Sequence, residues 1–348
     1  MLTFESFSGI PVNYESFLIE KYASFITTCR YIEVNYPDYD VNYFTVQENG
    51  KLIELIVYGN KGNTSTCYNS LVSIDEDIVS NFSENLFKKH SEIKKIEIIA
   101  SYNDYNFKRS ILSFKSDNQI LKLPSTVDEY YQELSYHVRK NIKNRKSRFL
   151  KEFPIAKFET KYGSEIEEST VDKIILLNSN RMRSKGTIPG IDNKFKDSIY
   201  RFSTFYGCVA YIEIDGEIVA GCVATLLNNE IFAHVIGHDN NYSKFNLGEM
   251  CFMYIIETSI NKGINTFHFL WGETEYKRRL LAEPHFLYFY YIYRSYSADY
   301  MIDKVQVLIS TIVLKIRKSK YSKPIRDAIK SYRKRNLNVN SSEEKNPS

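Results

Sequence analysis

Residues 208–237, CVAYIEIDGEIVAGCVATLLNNEIFAHVIG, decide the fold class. They hold three apolar runs, Cys208 to Ile214, Glu217 to Leu227 and Glu230 to Gly237. Asp215-Gly216 and Asn228-Asn229 separate them, and such dipeptides suit the tight turns of hairpins. Three strands joined this way argue for an antiparallel meander. Downstream, Ser243-Lys244-Phe245-Asn246-Leu247-Gly248 leads into a helix over Glu249 to Lys262, closed by Gly263. A buried strand (Thr266 to Leu270), Trp271-Gly272, a short helix from Glu273 and a strand (Phe286 to Tyr293) follow. Upstream stand a strand (Ile155 to Thr160), a helix (Thr170 to Arg183), the loop Lys185 to Gly190 and a helix (Lys194 to Phe205).

The first half reads as mixed α/β. Tyr14 to Tyr31 has helical periodicity, and two alternating strands, Tyr43 to Val46 and Leu52 to Tyr58, flank Asn49-Gly50. Asp75 to His90 predicts a helix with acids early and lysines late, as the helix dipole favours. Strands are expected at Lys95 to Ala100 and Asn118 to Leu123. Ser125-Thr126-Val127-Asp128 then opens a long helix to about Phe149, and Pro154 breaks the chain. The expected domains are 1–153 and 154–300, then a basic helical extension over 301–336 and a disordered tail over 337–348.

Composition excludes more than it assigns. Of 348 residues, 43% are hydrophobic and 25% charged, as in ordinary globular proteins. The 28 Tyr against one Trp fit an AT-rich genome, so abundance carries no function. A net charge of +4 is too small to imply nucleic acid, although basic residues gather at 137–148 and 315–335. Cys29, Cys67, Cys208, Cys222 and Cys251 are scattered without C-x-x-C spacing, which suggests neither metal nor disulfides and a reducing compartment. The start, Met1 to Glu5, lacks the basic and apolar regions of a signal peptide, so a cytoplasmic location is expected. The longest apolar candidate, Val305 to Ile316, is too short to span a bilayer.

The order meander, glycine loop, helix, strand, short helix, strand resembles the core of the GNAT acyltransferases. Four segments also resemble a narrower branch, the GNAT-type acetyltransferases encoded with polysaccharide and cellulose genes (CelD/BcsL-like). Leu123-Pro124-Ser125 through Arg139-Lys140-Asn141-Ile142 and Arg145-Lys146 is similar to the branch's "LP-x-S, then R-K-x-I-R-x-K" helix. Asn180-Arg181-Met182-Arg183-Ser184-Lys185-Gly186 is similar to "H-x-x-R-W-x-x-R-G". Glu217 to Gly221 is similar to the "G-x-x-I-A" strand entry, and Phe267 through Lys277 to "F-D-F-x-x-G-x-E-x-Y-K". The resemblance covers residues 120–294. It departs where His268 replaces an acid and where the phosphate loop keeps a single glycine, Gly248.

The resemblance implies an α/β (α+β type) fold of two GNAT-like domains with mixed, largely antiparallel sheets. The first would be degenerate, since no glycine loop precedes its helix at Asp75 to His90. It implies acyl-CoA, acetyl or a short hydroxyacyl, as co-substrate, with the pantetheine arm along Val235-Ile236-Gly237. The pyrophosphate would meet Lys244, Asn246, Leu247 and Gly248, because free amides at a helix start attract anions. Acyl transfer also needs a base and a proton for the leaving thiolate. His238 is the first candidate base and Glu273 the second, with Tyr276 near the thiol. His234, in an apolar strand, reads better as structural, and Glu273 equally as a first-turn acid. Arg181, Arg183 and Lys185 suit a phosphate-bearing acceptor, with Trp271 and Lys277 beside it. Tyr276-Lys277 equally reads as packing plus a surface charge, and the run at Arg139 to Arg148 as a solvated helix face.

Three functions are therefore expected to compete. The first is N-acylation of a nucleotide-linked amino sugar, without metal or nucleic acid. The second is a Fem-like aminoacyl or peptide-directed transferase, a group that shares the tandem plan. The third is a non-catalytic relic, or a membrane-surface protein held by the basic tail. Ordinary packing of Val305 to Ile316 against the second domain is expected, not membrane association.

Overall fold

A computed structural model describes residues 2–191, 193–272 and 274–318. In chain order the first part holds β1 (Leu2–Ser8), α1 (Glu15–Tyr22), α2 (Cys29–Asn35), β2 (Asp40–Glu48), β3 (Lys51–Lys61) and β4 (Thr64–Cys67). Next come α3 (Glu76–Lys89), β5 (Lys95–Ser101), β6 (Ser110–Lys122), α4 (Val127–Glu133) and α5 (Tyr136–Glu152). The later part holds β7 (Lys157–Tyr162), α6 (Glu168–Ser184), α7 (Asn193–Tyr206), β8 (Gly207–Ile214), β9 (Glu217–Leu227) and β10 (Glu230–His238). It ends with α8 (Leu247–Asn261), β11 (Thr266–Trp271), α9 (Glu275–Arg279), β12 (Glu283–Tyr293) and α10 (Ala298–Lys318).

Two compact units result. Among the described residues, one comprises the chain up to Ile120, Leu270–Thr274 and Glu283–Leu308; the other comprises Leu121–Phe269, Glu275–Ala282 and residues 309–318. Packing thus assigns residues 121–153 to the second unit and β12 to the first, unlike the division at Pro154 read from the sequence.

The first unit's strands run β1-β2-β3-β4-β5-β12-β6, antiparallel throughout except for the parallel pair β4–β5. The second unit runs β11-β10-β9-β8-β7, antiparallel except for β10–β11. Each parallel step is made by one crossover helix, α3 or α8, so the two units repeat one plan. The expectation of a tandem, mixed and largely antiparallel α/β fold is met.

Both faces of each sheet are covered. In the second unit Cys208, Ala210 and Ile212 point with α5 and α8 into one core, while Val209 and Tyr211 meet α6 and α7 in another. That is the two-residue alternation of a strand with both faces buried. The turns form as their residues require, with positive φ at Asp215, Gly216, Asn228 and Asn229.

The helix expected over Tyr14 to Tyr31 is broken, because Ala23 takes φ 47° and Thr28 caps a new helix, accepting from the Tyr31 amide at 3.2 Å. The long helix from Ser125 is broken likewise, where Ser135 caps α5. The five cysteines are buried and free. Among the described residues no helix is long and apolar enough to cross a membrane, and no cluster could hold a metal ion. Val305, Leu308, Ile309 and Ile312 are exposed, so these residues do not make the packing expected of Val305 to Ile316.

Candidate functional site

The two units differ at the equivalent parallel pair. β4 pairs with β5 over its whole length, Thr64↔Lys95 to Cys67↔Ile98. β10 pairs with β11 from Glu230↔Thr266 to Phe232↔His268, and this ladder stops before Ala233. His268 fastens the closed end: its Nε2 lies 2.7 Å from Glu230 Oε2, and its ring stacks on Phe232 at 4.1 Å. A β-bulge at His234 breaks the pairing with β9 between Ala233 and Val235, and such bulges re-aim the strand's groups. The stretch of β10 from Ala233 to His238 therefore lies beyond its parallel ladder, whereas β4 is paired along its whole length.

Helix α6 packs on the sheet face across this stretch of β10. A Cβ on Gly237 would stand 2.3 Å from the Ile174 carbonyl oxygen and 2.8 Å from the Asn178 nitrogen, so glycine is what lets helix and strand approach. Asn178 Nδ2 donates to the Ile236 carbonyl at 2.8 Å, and Asn240 Nδ2 donates to Ser184 Oγ at 3.1 Å. These contacts bring the end of α6 to the end of β10. Gly186, with φ 70°, closes the helix, while the Thr187 amide returns to the Met182 carbonyl.

Three of the side chains expected from the sequence, Arg181, Lys185 and His238, gather there, and Tyr276 acts on Arg181. Burial, then repulsion from Arg181 and Lys185, holds His238 below the ordinary histidine value. Burial and Arg181 lower Lys185 in turn. Arg181 has a buried Nε without a hydrogen-bond partner and interacts electrostatically with Tyr276, whose ring stacks on Phe252 at 5.7 Å. A Cβ on Gly248 would come within 2.8 Å of the His238 ring, so that glycine makes room for the imidazole. Arg183 is exposed in the last turn of α6. Together these groups offer a neutral base, a phenol and two cations.

Other expected residues are engaged elsewhere. Lys244 pairs with Glu152 at 2.7 Å. Lys277 is buried and donates to the Phe269 carbonyl at 3.1 Å. Leu247 is buried in the core, and Val235 packs under α6. Asn246 takes φ 54°; its carbonyl accepts from the Glu249 and Met250 amides, and its side chain donates to Glu249 at 2.5 Å. Trp271 is 46% exposed, with its ring 6.3 Å from Phe289. Glu273 lies outside the described residues. His234 is half-buried, its Nε2 is 2.7 Å from Thr225 Oγ1, and desolvation of the ring pushes it down to about 4.

Sequence reasoning missed Glu249. It is buried in the first turn of α8 and pairs with Arg145 and, at 3.3 Å, with Arg279. Arg145 was expected on a solvated face; an acid in a first helical turn was the available signal. A groove of about 590 Å³ also opens beside α5, lined by Tyr131, Lys143, Lys146 and Glu257.

Residues 137–278 match the family described as Acetyltransferase (GNAT) domain. No curated protein sequence matches the chain. Among solved structures, FemX is similar with TM-score 0.59 at 8% identity, over 82% of this chain and 96% of that one. A conserved protein of unknown function from Bacteroides thetaiotaomicron gives 0.52 at 13% identity, over 84% and 99%. L-PGS from Bacillus licheniformis gives 0.52 at 11% identity, over 86% and 96%. At these identities the likeness is one of fold.

Proposed function

We propose that this GNAT-type N-acyltransferase, with its acetyltransferase domain at residues 137–278, acylates the amine of a nucleotide-linked amino sugar. A dTDP-amino-dideoxyhexose destined for a surface polysaccharide is the kind of acceptor meant, and a coenzyme A thioester is the donor. The supporting observation is the cluster of Arg181, Lys185 and His238, with Tyr276 acting on Arg181, beside β10 where its ladder to β11 stops.

The fit to coenzyme A is good along the strand and different at the phosphates. The stretch of β10 beyond its ladder to β11 suits an arm rich in amides, which binds as an added strand would. The Ile236 carbonyl already accepts from Asn178, so the arm depends on its neighbours. At the start of α8, Lys244 is tied to Glu152 and the helix end faces the Glu249 carboxylate. Arg145 and Arg279 hold guanidinium groups at that same helix start, both paired with Glu249, so a phosphate there competes with that carboxylate for them.

The thioester supplies an activated acyl carbon. His238, kept neutral by burial and by two cations, takes a proton from the sugar ammonium. The freed amine attacks the acyl carbon; the C–N bond forms and the C–S bond breaks, the Tyr276 hydroxyl protonates the departing sulfur, and the second proton shed by the new amide nitrogen restores the phenol. Arg181 and Lys185 hold the acceptor's diphosphate so that the amine faces the carbon.

The experiment combines the full chain, acetyl-CoA, an amino-sugar nucleotide and a thiol reagent. Thiol release that requires the sugar is expected. His238→Asn should lower kcat/KM by roughly 10²–10⁴-fold with little change in acyl-CoA affinity. No acyl-CoA binding and no thiol release with any amine would overturn the reading. A second reading, aminoacyl transfer from charged tRNA, draws on the groove that Lys143 and Lys146 line. Transfer abolished by ribonuclease and indifferent to acyl-CoA would select it.

A further inference from the structure

Helix α10 presents two unlike faces. On one, Tyr300 and Val307 pack on Ile111 and Tyr293, and Asp303 accepts from the Tyr293 hydroxyl at 2.5 Å and pairs with Lys95 at 3.6 Å. On the other, Met301, Ile302, Val305, Leu308, Ile309 and Ile312 are 48% to 60% exposed. At about 100° per residue these six fall within an arc of roughly 120°, a continuous apolar row. Single exposed apolar residues need no explanation, but a row of this length does.

The sequence beyond the row supplies the second observation. Residues 315–335 carry ten Lys and Arg against one acid, Asp327. Lys304 lies beside the row, over the Tyr300 ring at 5.5 Å, and Tyr296 is largely exposed just before the helix. An apolar row followed by dense positive charge has a complement in a bilayer surface, where acyl chains take the row and anionic headgroups take the cations. A second copy would complement the row but would bring two strongly positive segments together.

We propose that α10 seats the protein on an anionic membrane surface, with the row from Met301 to Ile312 facing the lipid. The proposal is independent of the acyl-transfer reading, because no residue of α10 takes part in that site. It also reverses the sequence-based expectation that this segment avoids membranes.

The test mixes the full chain with two kinds of vesicle at physiological salt. One is phosphatidylcholine alone; the other contains about a quarter phosphatidylglycerol. Sedimentation with the anionic vesicles, little with the neutral ones, and release at high salt are expected. Val305→Glu combined with Leu308→Glu should weaken binding by at least roughly tenfold. Both positions are exposed, so an unchanged melting curve should accompany the loss. Absence of binding to anionic vesicles overturns the proposal. So does binding that the double variant leaves intact, which would make the contact one of charge alone. A dimer that the variant dissociates, without vesicle binding, assigns the row to a second copy and also overturns it.

Discussion

His234 and His238 stand four residues apart on one strand and meet opposite surroundings. Desolvation beside Thr225 pushes His234 down to about 4 and keeps it neutral as a structural group. His238 lies at the strand end, where burial and then two cations depress it. If it is the base, kcat/KM should rise as pH passes its lowered pKa and stay level across neutrality. Lys185→Met removes one repelling charge, raises that pKa and moves the acidic limb to higher pH. Lys185→Arg should leave the limb in place. A profile between about pH 4 and 8 checks this, and a limb unmoved by Lys185→Met would sever His238 from the cation cluster. The sequence supplied His238, Tyr276, Arg181 and Lys185 by residue type and order. It could not show that Lys244 would meet Glu152, ninety-two positions upstream, or that Lys277 would turn inward to a carbonyl. Those outcomes depend on tertiary neighbours, which a linear pattern does not contain.

Between α6 and β10 the decisive feature is backbone proximity. Gly237→Ala would set a methyl against the Ile174 carbonyl and the Asn178 amide, and neither can rotate away. A loss of roughly 1–3 kcal/mol is expected from such overpacking, measurable by urea denaturation. Because α6 carries Arg181, kcat/KM should fall further than its folded fraction does. An alanine variant with wild-type stability would mean that the helix shifts freely. Elements of this kind were largely legible: the β8–β10 meander, α3 and α8 lie within one or two residues of their sequence-based limits. Turn dipeptides with positive φ made them so. The break at Ala23 was not legible, because alanine gives no local sign of a left-handed backbone. β1 and β4 were missed as well; β4 is four residues long.

Over the whole molecule the repeated plan could be read, but not the ownership of its last strand. The alternation of Phe286 to Tyr293 marks a strand without naming its partners. In the structure β12 pairs with β5 on one side and β6 on the other, in the first unit. A chain ending at Ala282 should therefore leave β5 and β6 without the strand between them. Limited proteolysis should cut such a chain first within residues 1–120, while β7 to β11 stay protected. Equal protection of both parts would show that β12 is dispensable there.

During synthesis the same arrangement makes β5 and β6 wait for a strand made much later. Roughly 160 residues separate β6 from β12, and at about 5–20 residues per second the ribosome needs about 8 to 32 s to deliver them. Over that interval β5 and β6 offer open edges, the kind that pair with other chains. The nascent first half is thus a natural client for chaperones, although it is the half that leaves the ribosome first.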